Sequence, residues 1–281
     1  MAAHILTAEK IAAFACSLKE EERAEATIEK YLRDIRAFAL WLEGRPVTKE
    51  SVAKWREHQA ASGRAPVTVN AKLSALNGLF GFLGWEDCRV KFLQVQRRMF
   101  RETSKELTQG EYTRLLETAG RLGRIRLELL LKTICSTGIR VSEVKFITVE
   151  AARRGRAEVR LKGKIRTILL PGKLCRQLLR YAETQKTASG EIFLTRSGKG
   201  LSRRQIWQEM KSLCAHAKVE PAKVFPHNLR HLFATTFYHA SKDIVKLADV
   251  LGHASMETTR IYLLTTGAEH IRQLEGLGLI S

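Results

Sequence analysis

Four polar residues toward the C-terminal end of the chain have the types and the spacing needed for chemistry at a phosphate. His227 and Arg230 are three positions apart, so a helix would present both on one face. His253 follows Gly252, and Tyr262 comes nine positions later. Arginine binds phosphate oxygens with a planar fork of donors, histidine moves protons near neutral pH, and tyrosine can become a covalent nucleophile. The group therefore indicates proton transfer and nucleophilic attack at a bound phosphate.

Short helices are expected to position these side chains. Pro226 suits the first position of a helix, where its missing N–H costs little. A second helix is predicted over residues 243–251, and Gly252 should end it as a left-handed cap. Thr258 and Thr259 are predicted to cap a further helix or turn that carries the tyrosine.

Two upstream motifs add further basic residues. An apolar helix predicted over residues 126–137 runs into the sequence T-G-I-R-V-S-E, which places Arg140 directly after a glycine that redirects the chain. Residues 157–171 have strand-forming residues on both sides of K-G-K, which predicts a β-hairpin with the glycine in its turn. Lys162 and Lys164 would then lie at the hairpin tip.

The charge of the chain favours a polyanionic partner. The 281 residues carry a formal net charge of +19. Residues 1–100 contain 16 basic and 12 acidic residues, and residues 101–281 contain 32 and 17, so most of the excess lies in the second part. Aromatic residues make up only 7% of the chain, which does not favour stacking on single strands. A polyanion is therefore the expected partner.

Cysteine usage and hydropathy bear on the compartment and on metals. The five cysteines are widely spaced without a C-x-x-C pair, which predicts reduced thiols in the cytoplasm and no zinc site. His227 and His231 are four apart, but neither an H-E-x-x-H motif nor a third ligand accompanies them, so no metal is expected. Neither a signal sequence nor a run of 18 apolar residues is present, so no membrane association is expected.

The pattern predicts two domains. Residues 1–95 read as four amphipathic helices of a small DNA-binding bundle, residues 96–106 as a basic linker, and residues 107–281 as a second domain with a C-terminal tail. Helix starts are predicted at Thr7, Thr48, Pro66 with Thr68, Thr108 and Ser202. In the first domain three basic residues either contact DNA phosphates or belong to a solvated helix face: Lys54, Arg56 and Lys72.

The ordered series T-G-I-R-V-S-E, K-G-K-x-R-T, H-x-L-R-H, L-G-H and T-x-x-Y resembles the active-site motifs of the tyrosine recombinases, also called the phage integrase family. These motifs span residues 137–265, and the helical N-terminal segment is similar to the family's core-binding domain. The resemblance implies a mainly α fold with a small antiparallel β-sheet, made of a helical core-binding domain and a tyrosine-recombinase catalytic domain. It implies a site-specific recombinase that acts on double-stranded DNA in integration, excision or resolution.

The residues that match the family's catalytic positions are Arg140, Lys162, His227, Arg230, His253 and Tyr262. The resemblance implies that the tyrosine attacks a DNA phosphodiester and becomes linked to its 3′-phosphate, while the two arginines hold the non-bridging oxygens. Lys162 would protonate the departing 5′-oxygen, and His227 would assist proton transfer at the tyrosine. His253 would position the phosphate, and Glu143 matches an acidic residue that supports the first arginine. Because two guanidiniums take the place of a metal, no cofactor is expected.

Some alternatives stay open. The K-G-K turn is shorter than the family's common G-K-G-x-K-x-R form, so Lys164 could be the general acid and Lys162 a phosphate contact. His231 is expected to be a structural neighbour of the site. The same chemistry without partner exchange would make the protein a type IB-like topoisomerase or a resolvase. A DNA-binding regulator that has lost catalysis is a further alternative, which the intact set of six residues disfavours.

The resemblance also bears on assembly. The chain begins close to the core-binding segment, so we expect it to lack a separate arm-binding domain and to be of the simpler Xer or Cre type. The family resemblance implies a homo-tetramer on two DNA sites. Residues 266–281 contain spaced apolar residues, which favours either a helix packed on its own domain or a tail docked on a neighbouring protomer.

Overall fold

The computed structural model describes residues 4–95, 103–161, 164–253, 255–263, 271–272 and 274–277. The chain divides into two compact units, Met1–Arg97 and Arg98–Ser281. The described part is mostly helical and contains one two-stranded antiparallel sheet, which confirms the predicted fold class. None of the helices described is both long enough and apolar enough to cross a bilayer.

The first unit contains the four expected helices. Their bounds are α1 Ala8–Glu20, α2 Glu25–Leu42, α3 Lys49–Ala61 and α4 Pro66–Phe82. The Thr7 side chain caps α1 and the Thr48 side chain caps α3, as predicted. In α4, Pro66 occupies the first turn, so Thr68 lies inside the helix rather than ahead of it.

Aromatic rings fill the core of this unit. The Phe38 ring contacts Trp55 edge-on at 5.4 Å between ring centroids and lies 6.4 Å from Phe80. The Lys72 ammonium lies 5.6 Å from the centre of the Trp55 ring and 3.5 Å from an Asp34 carboxylate oxygen, and its side chain is only 13% exposed. The charge of Lys72 is therefore partly neutralised within the unit.

The second unit carries the remaining helices. Their bounds are α5 Gln109–Arg121, α6 Ile125–Thr137, α7 Val149–Arg154, α8 Gly172–Thr184, α9 Arg203–Ala217, α10 Pro226–Ser241, α11 Ile244–Leu251 and α12 Met256–Arg260. Thr108 and Glu111 cap α5 reciprocally, and Ser202 and Gln205 do the same for α9, which confirms both predicted helix starts. Reciprocal caps satisfy two otherwise unpaired backbone donors at each helix start.

The predicted β-hairpin is present. Strands β1 (Arg156–Leu161) and β2 (Lys164–Leu169) pair antiparallel, with Leu161 opposite Lys164. The connection that carries Lys162 and Gly163 lies outside the described residues. On the inner face of the hairpin, Ala157, Val159 and Ile168 are buried in the core of the second unit, whereas Ile165 and Leu169 are exposed. The alternation follows the two-residue period of a half-buried strand.

Helix α6 ends at a glycine that the fold requires. Leu130, Leu131 and Ile134 of α6 are fully buried, and Gly138 then takes a left-handed conformation with φ +63°. A β-carbon at Gly138 would lie 2.4 Å from a Phe233 ring atom and 3.0 Å from a Leu251 methyl carbon. Both the backbone angle and the lack of space therefore exclude a side chain at this turn.

Gly138→Ala should destabilise the second unit more than Gly155→Ala does. Gly155 also has a positive φ (+69°), but nothing lies within 4 Å of its missing β-carbon. The backbone angle should cost each variant about 1–2 kcal/mol, and overpacking should add about 1–3 kcal/mol only for Gly138→Ala. Urea unfolding of the full-length variants, followed by circular dichroism, measures the difference. Equal destabilisation of the two variants would show that the Phe233 ring can move away from a β-carbon at position 138 without a cost in free energy.

Candidate active site

Arg140 is held by a carboxylate three residues away. The glycine turn after α6 leads into an extended Arg140, and a short 3₁₀ turn, Val141–Phe146, follows. One Glu143 oxygen accepts from the Arg140 backbone N–H at 2.7 Å, and the other accepts from its guanidinium Nη1 at 3.0 Å. The Glu143 side chain is 3% exposed, whereas that of Arg140 is 43% exposed. Arg140 thus presents a fixed guanidinium to solvent.

A second arginine, Arg166, reaches the same carboxylate from strand β2. The Arg166 Nη2 donates to a Glu143 oxygen at 2.7 Å, and its Nη1 donates to the main-chain carbonyl of Leu251. Burial lowers the pKa of Arg166, the Glu143 carboxylate opposes that shift, and the neighbouring Arg140 adds to it. Two guanidiniums therefore share one carboxylate.

Arg230 is buried and bonded mainly to backbone. It lies in the first turns of α10, which begins at Pro226 as predicted. Its Nη1 donates to the carbonyl of Gly138, and its Nη2 donates to the carbonyl of Leu251 at 2.9 Å. Burial is the main cause of its lowered pKa, and Arg140 contributes, while a hydrogen bond with Tyr262 opposes the shift. These carbonyl contacts aim the guanidinium without neutralising its charge.

His253 follows α11, which Gly252 ends with φ +61°, as predicted. Its Nε2 lies 2.9 Å from the Arg230 Nη2, and its Nδ1 lies 2.9 Å from the Thr259 hydroxyl oxygen. A guanidinium only donates, so Nε2 must accept and Nδ1–H donates to Thr259. Burial first and then the charge of Arg230 lower the His253 pKa to about 4. The ring is therefore neutral at physiological pH.

Tyr262 lies among three imidazole rings. Its ring stacks on His253 with centroids 5.9 Å apart and an interplanar angle of 11°. His231 contacts it edge-on at 5.1 Å, and the His227 ring lies 6.4 Å away. Tyr262 is 5% exposed and packs with Ala234 and residues of α11. The Tyr262 ring therefore packs against side chains of α10 and α11 and against His253.

Two of these histidines differ in their surroundings. Burial, and secondarily the charge of Arg230, lowers the pKa of His227, so its ring is a neutral group able to accept a proton. The His231 Nε2 lies 3.7 Å from a Glu106 carboxylate oxygen, and its side chain is 13% exposed. His231 therefore packs against the tyrosine as a largely buried neighbour.

The structure brings together five of the six residues singled out in the sequence: Arg140, His227, Arg230, His253 and Tyr262. The sixth, Lys162, lies outside the described residues, and of Lys164 only the backbone is described. The predicted cap at Thr258 and Thr259 is wrong, because the Ser255 side chain caps α12. The Thr259 hydroxyl is instead bonded to His253. Tyr262 lies in the 3₁₀ turn Ile261–Leu263 that follows α12.

Sequence reasoning missed three contributors to the site. Arg166 lies in the K-G-K-x-R-T motif without a predicted role, and no contact with the carbonyls of Gly138 and Leu251 was predicted. The available signal for Arg166 was its place in a strand near two motif lysines. The carbonyls had no signal, because every residue type has one. Two guanidiniums share the Glu143 carboxylate and a third, that of Arg230, is bonded to carbonyls and His253, so the cluster has an excess of positive charge and is suited to an anion.

The described residues contain one group with the spacing of a metal site, His4, Asp87 and Cys88, whose ligand atoms lie within 4.8 Å of one another. The Cys88 thiol donates to the carbonyl of Val47 at 3.5 Å, and burial raises its pKa to about 11. A thiol that ligates a metal must lose its proton. The donor set therefore disfavours metal binding.

Known proteins match both units. Residues 105–268 match the phage integrase family, and residues 11–87 match the phage integrase N-terminal SAM-like domain. The tyrosine recombinase XerC of Erythrobacter litoralis is 32% identical over 262 residues, covering 89% of this chain and 85% of the relative.

Solved structures share the fold. A crystal structure of the XerH site-specific recombinase bound to its difH substrate, in a pre-cleavage complex, has a TM-score of 0.68 at 18% identity and covers 96% of this chain and 89% of that one. A lambda integrase dimer bound to a COC′ core site has a TM-score of 0.74 at 16% identity, covering 92% and 77%.

The chain therefore belongs to the phage integrase family and is a tyrosine-type, site-specific DNA recombinase similar to the Xer proteins.

Proposed function

We propose that this recombinase cleaves and rejoins double-stranded DNA through a 3′-phosphotyrosyl intermediate on Tyr262. The observation that carries the proposal is the convergence of Arg230, Arg140 and the tyrosine in one cluster with an excess of positive charge. A phosphodiester supplies the negative charge that the cluster lacks. The attack on phosphorus adds charge to the non-bridging oxygens, and fixed guanidiniums stabilise that charge.

The steps need no external energy source. The Tyr262 oxygen attacks phosphorus and loses its proton to His227, while the bond from phosphorus to the 5′-oxygen breaks. Lys162 gives its proton to that oxygen, which leaves as a 5′-hydroxyl. In the second half, a 5′-hydroxyl of a partner strand gives its proton to Lys162 and attacks the phosphotyrosyl link, and His227 returns its proton to the departing Tyr262 oxygen. One phosphodiester is broken and one is formed, so the reaction proceeds without a cofactor.

The histidines suit these roles. His227 is a neutral base near the tyrosine, since its pKa is lowered by burial. His253 is bonded to Arg230 on one nitrogen and to Thr259 on the other. It therefore helps to hold the Arg230 guanidinium in the place where that group would bind the phosphate. With a pKa of about 4 it acts as a hydrogen-bonding group rather than a cation.

DNA binding is expected to involve both domains. We propose residues 1–95 as a core-type DNA-binding domain, residues 96–106 as a linker and residues 107–281 as the catalytic domain with its tail. The excess of basic residues in residues 101–281 supports a large electrostatic share of the affinity.

The affinity for a cognate DNA duplex should fall steeply with salt. Contacts to about 6–10 phosphates would give a slope of roughly −5 to −9 in a plot of log affinity against log salt concentration. Fluorescence anisotropy between 50 and 300 mM KCl, with Tyr262→Phe to prevent cleavage, gives the slope. A slope near zero would contradict binding of the duplex by both domains.

We propose a homo-tetramer that holds two DNA sites. Near the C-terminus, Ile271, Leu274 and Leu277 are 57–65% exposed on their own chain, which suits docking on a neighbouring protomer. We also propose the cytoplasm as the compartment, because all five cysteines are free thiols.

The test of the function begins with a DNA site that the protein selects from a random-sequence pool. A duplex nicked next to the scissile position traps the intermediate. Cleavage releases a short fragment that carries the 5′-hydroxyl, and once this fragment has diffused away it cannot attack the phosphotyrosyl link. The expected product is a protein–DNA adduct that survives SDS. Absence of the adduct with a selected site would leave only DNA binding and would favour the regulator alternative.

Strand exchange separates a recombinase from a topoisomerase. Two labelled duplexes that carry the selected site should yield recombinant products, because the 5′-hydroxyl of one duplex attacks the phosphotyrosyl link of the other. Relaxation of supercoiled DNA without any exchange would assign the protein to the type IB-like topoisomerases instead.

A further inference from the structure

Arg166 connects the carboxylate that holds Arg140 to the end of α11. Its Nη2 donates to Glu143 at 2.7 Å, and its Nη1 donates to the carbonyls of Leu251 and, at 3.4 Å, Val250. The Arg166 side chain is 16% exposed and the Glu143 side chain 3%. The guanidinium is thus a buried bridge between the turn after α6 and the turn after α11.

The backbone at Gly252 lies directly beside the Arg166 side chain. A β-carbon at Gly252 would lie 2.5 Å from Arg166 Cδ and 2.6 Å from its Nη1. Gly252 therefore allows the long side chain to pass against the turn. The absence of a β-carbon at Gly252 thus leaves room for the Arg166 side chain beside the turn that precedes His253.

We propose that Arg166 is a positioning residue for DNA cleavage, acting through Glu143 on Arg140. This inference rests on the proposed function. Arg140 is 43% exposed and its guanidinium is bonded to the Glu143 carboxylate, so its orientation depends on where that carboxylate lies. The Leu251 carbonyl that binds Arg166 is itself held in place, because it also accepts a hydrogen bond from the buried Arg230. Without Arg166, Glu143 would lose the partner that holds it against α11.

Lysine cannot replace this bridge. Nη2 binds a carboxylate on one side while Nη1 binds carbonyls on the other, and the planar guanidinium holds the two nitrogens at a fixed separation. A lysine ammonium is a single point that keeps the charge but contacts only one of the two groups well. Arg166→Lys therefore tests the geometry of the bridge while keeping its positive charge, whereas Arg166→Ala removes both.

The experiment measures single-turnover cleavage of the nicked duplex by Arg166→Ala and Arg166→Lys. A displacement of Arg140 by about 1 Å should slow both variants by roughly 10- to 100-fold. Their affinity for intact DNA should change less than about threefold, because Arg166 is buried and Arg140 remains. Arg160→Ala is the matched control, since Arg160 lies on the neighbouring strand and its side chain is 73% exposed. The control should cleave at the parental rate.

A double-variant cycle separates positioning from general loss of structure. If Arg166 acts through Arg140, then Arg140→Ala with Arg166→Ala should cleave within about threefold of Arg140→Ala alone. If the two substitutions acted independently, the fold reductions in cleavage rate of the two single variants would instead multiply in the double variant. Melting temperatures are measured for every variant, and Arg166→Lys supplies the test if Arg166→Ala does not fold.

The outcomes are distinct. If the parent protein forms no adduct, the proposed function fails and the inference fails with it. If the parent forms the adduct and Arg166→Lys cleaves at the parental rate, the function stands and the bridge is not needed. Multiplicative losses in the cycle would likewise overturn the inference. Slow cleavage by Arg166→Lys with non-multiplicative losses would support it.

Discussion

Tyr262→Phe should bind DNA with the affinity of the parent and form no covalent adduct. The variant removes only the hydroxyl that attacks phosphorus, so cleavage should fall by more than about 10³-fold. The ring is 5% exposed and stacks on His253, and both features are kept by phenylalanine. Loss of the hydrogen bond with the charged Arg230 should cost about 1.5–3 kcal/mol of stability. Gel electrophoresis in SDS on the nicked duplex measures the adduct.

Tyr238→Phe is the matched control for this variant. Tyr238 lies on α10 and packs against the same small cluster as Tyr262, with Lys242 over its ring at 5.8 Å. It should form the adduct as the parent does. Undiminished adduct from Tyr262→Phe would reject Tyr262 as the nucleophile, and loss of adduct from Tyr238→Phe would indicate that the cluster is sensitive to any lost hydroxyl.

Lys162→Ala should slow cleavage by roughly 10²–10⁴-fold, which is typical for loss of a general acid. The 5′-oxygen is a poor leaving group until it receives a proton. The resemblance of K-G-K-x-R-T to the family's hairpin motif supports our proposal of Lys162 for that role. Lys164→Ala is the matched control one glycine away, and it should mainly weaken DNA binding.

A substrate with sulfur at the 5′-bridging position distinguishes proton donation from other effects. Sulfur leaves readily without a proton, so this substrate should restore cleavage by Lys162→Ala to near the parental rate. It should not correct a defect in DNA affinity. Rescue of Lys164→Ala, together with near-normal activity of Lys162→Ala on ordinary DNA, would transfer the role to Lys164.

Much of the local structure follows from short patterns in the sequence. Thr108 with Glu111, and Ser202 with Gln205, start helices because their side chains satisfy the first backbone donors within the same turn. Gly252 ends α11 for an equally local reason, since a left-handed residue is needed there. The cap of α12 was predicted wrongly because the stretch from 255 to 259 offers three hydroxyl residues, and Thr259 is bonded to His253 instead.

The sequence by itself predicted five of the residues that the structure brings together, because their types and order resemble the motifs of the family, but it predicted no role for Arg166. Tertiary structure decided how they are held. Arg230 is aimed by the carbonyls of Gly138 and Leu251, which lie 92 and 21 residues away along the chain. Arg166 reaches Leu251 across 85 residues. Carbonyls are common to all residue types, so contacts to them leave no pattern in a sequence and arise only when packing brings distant turns together.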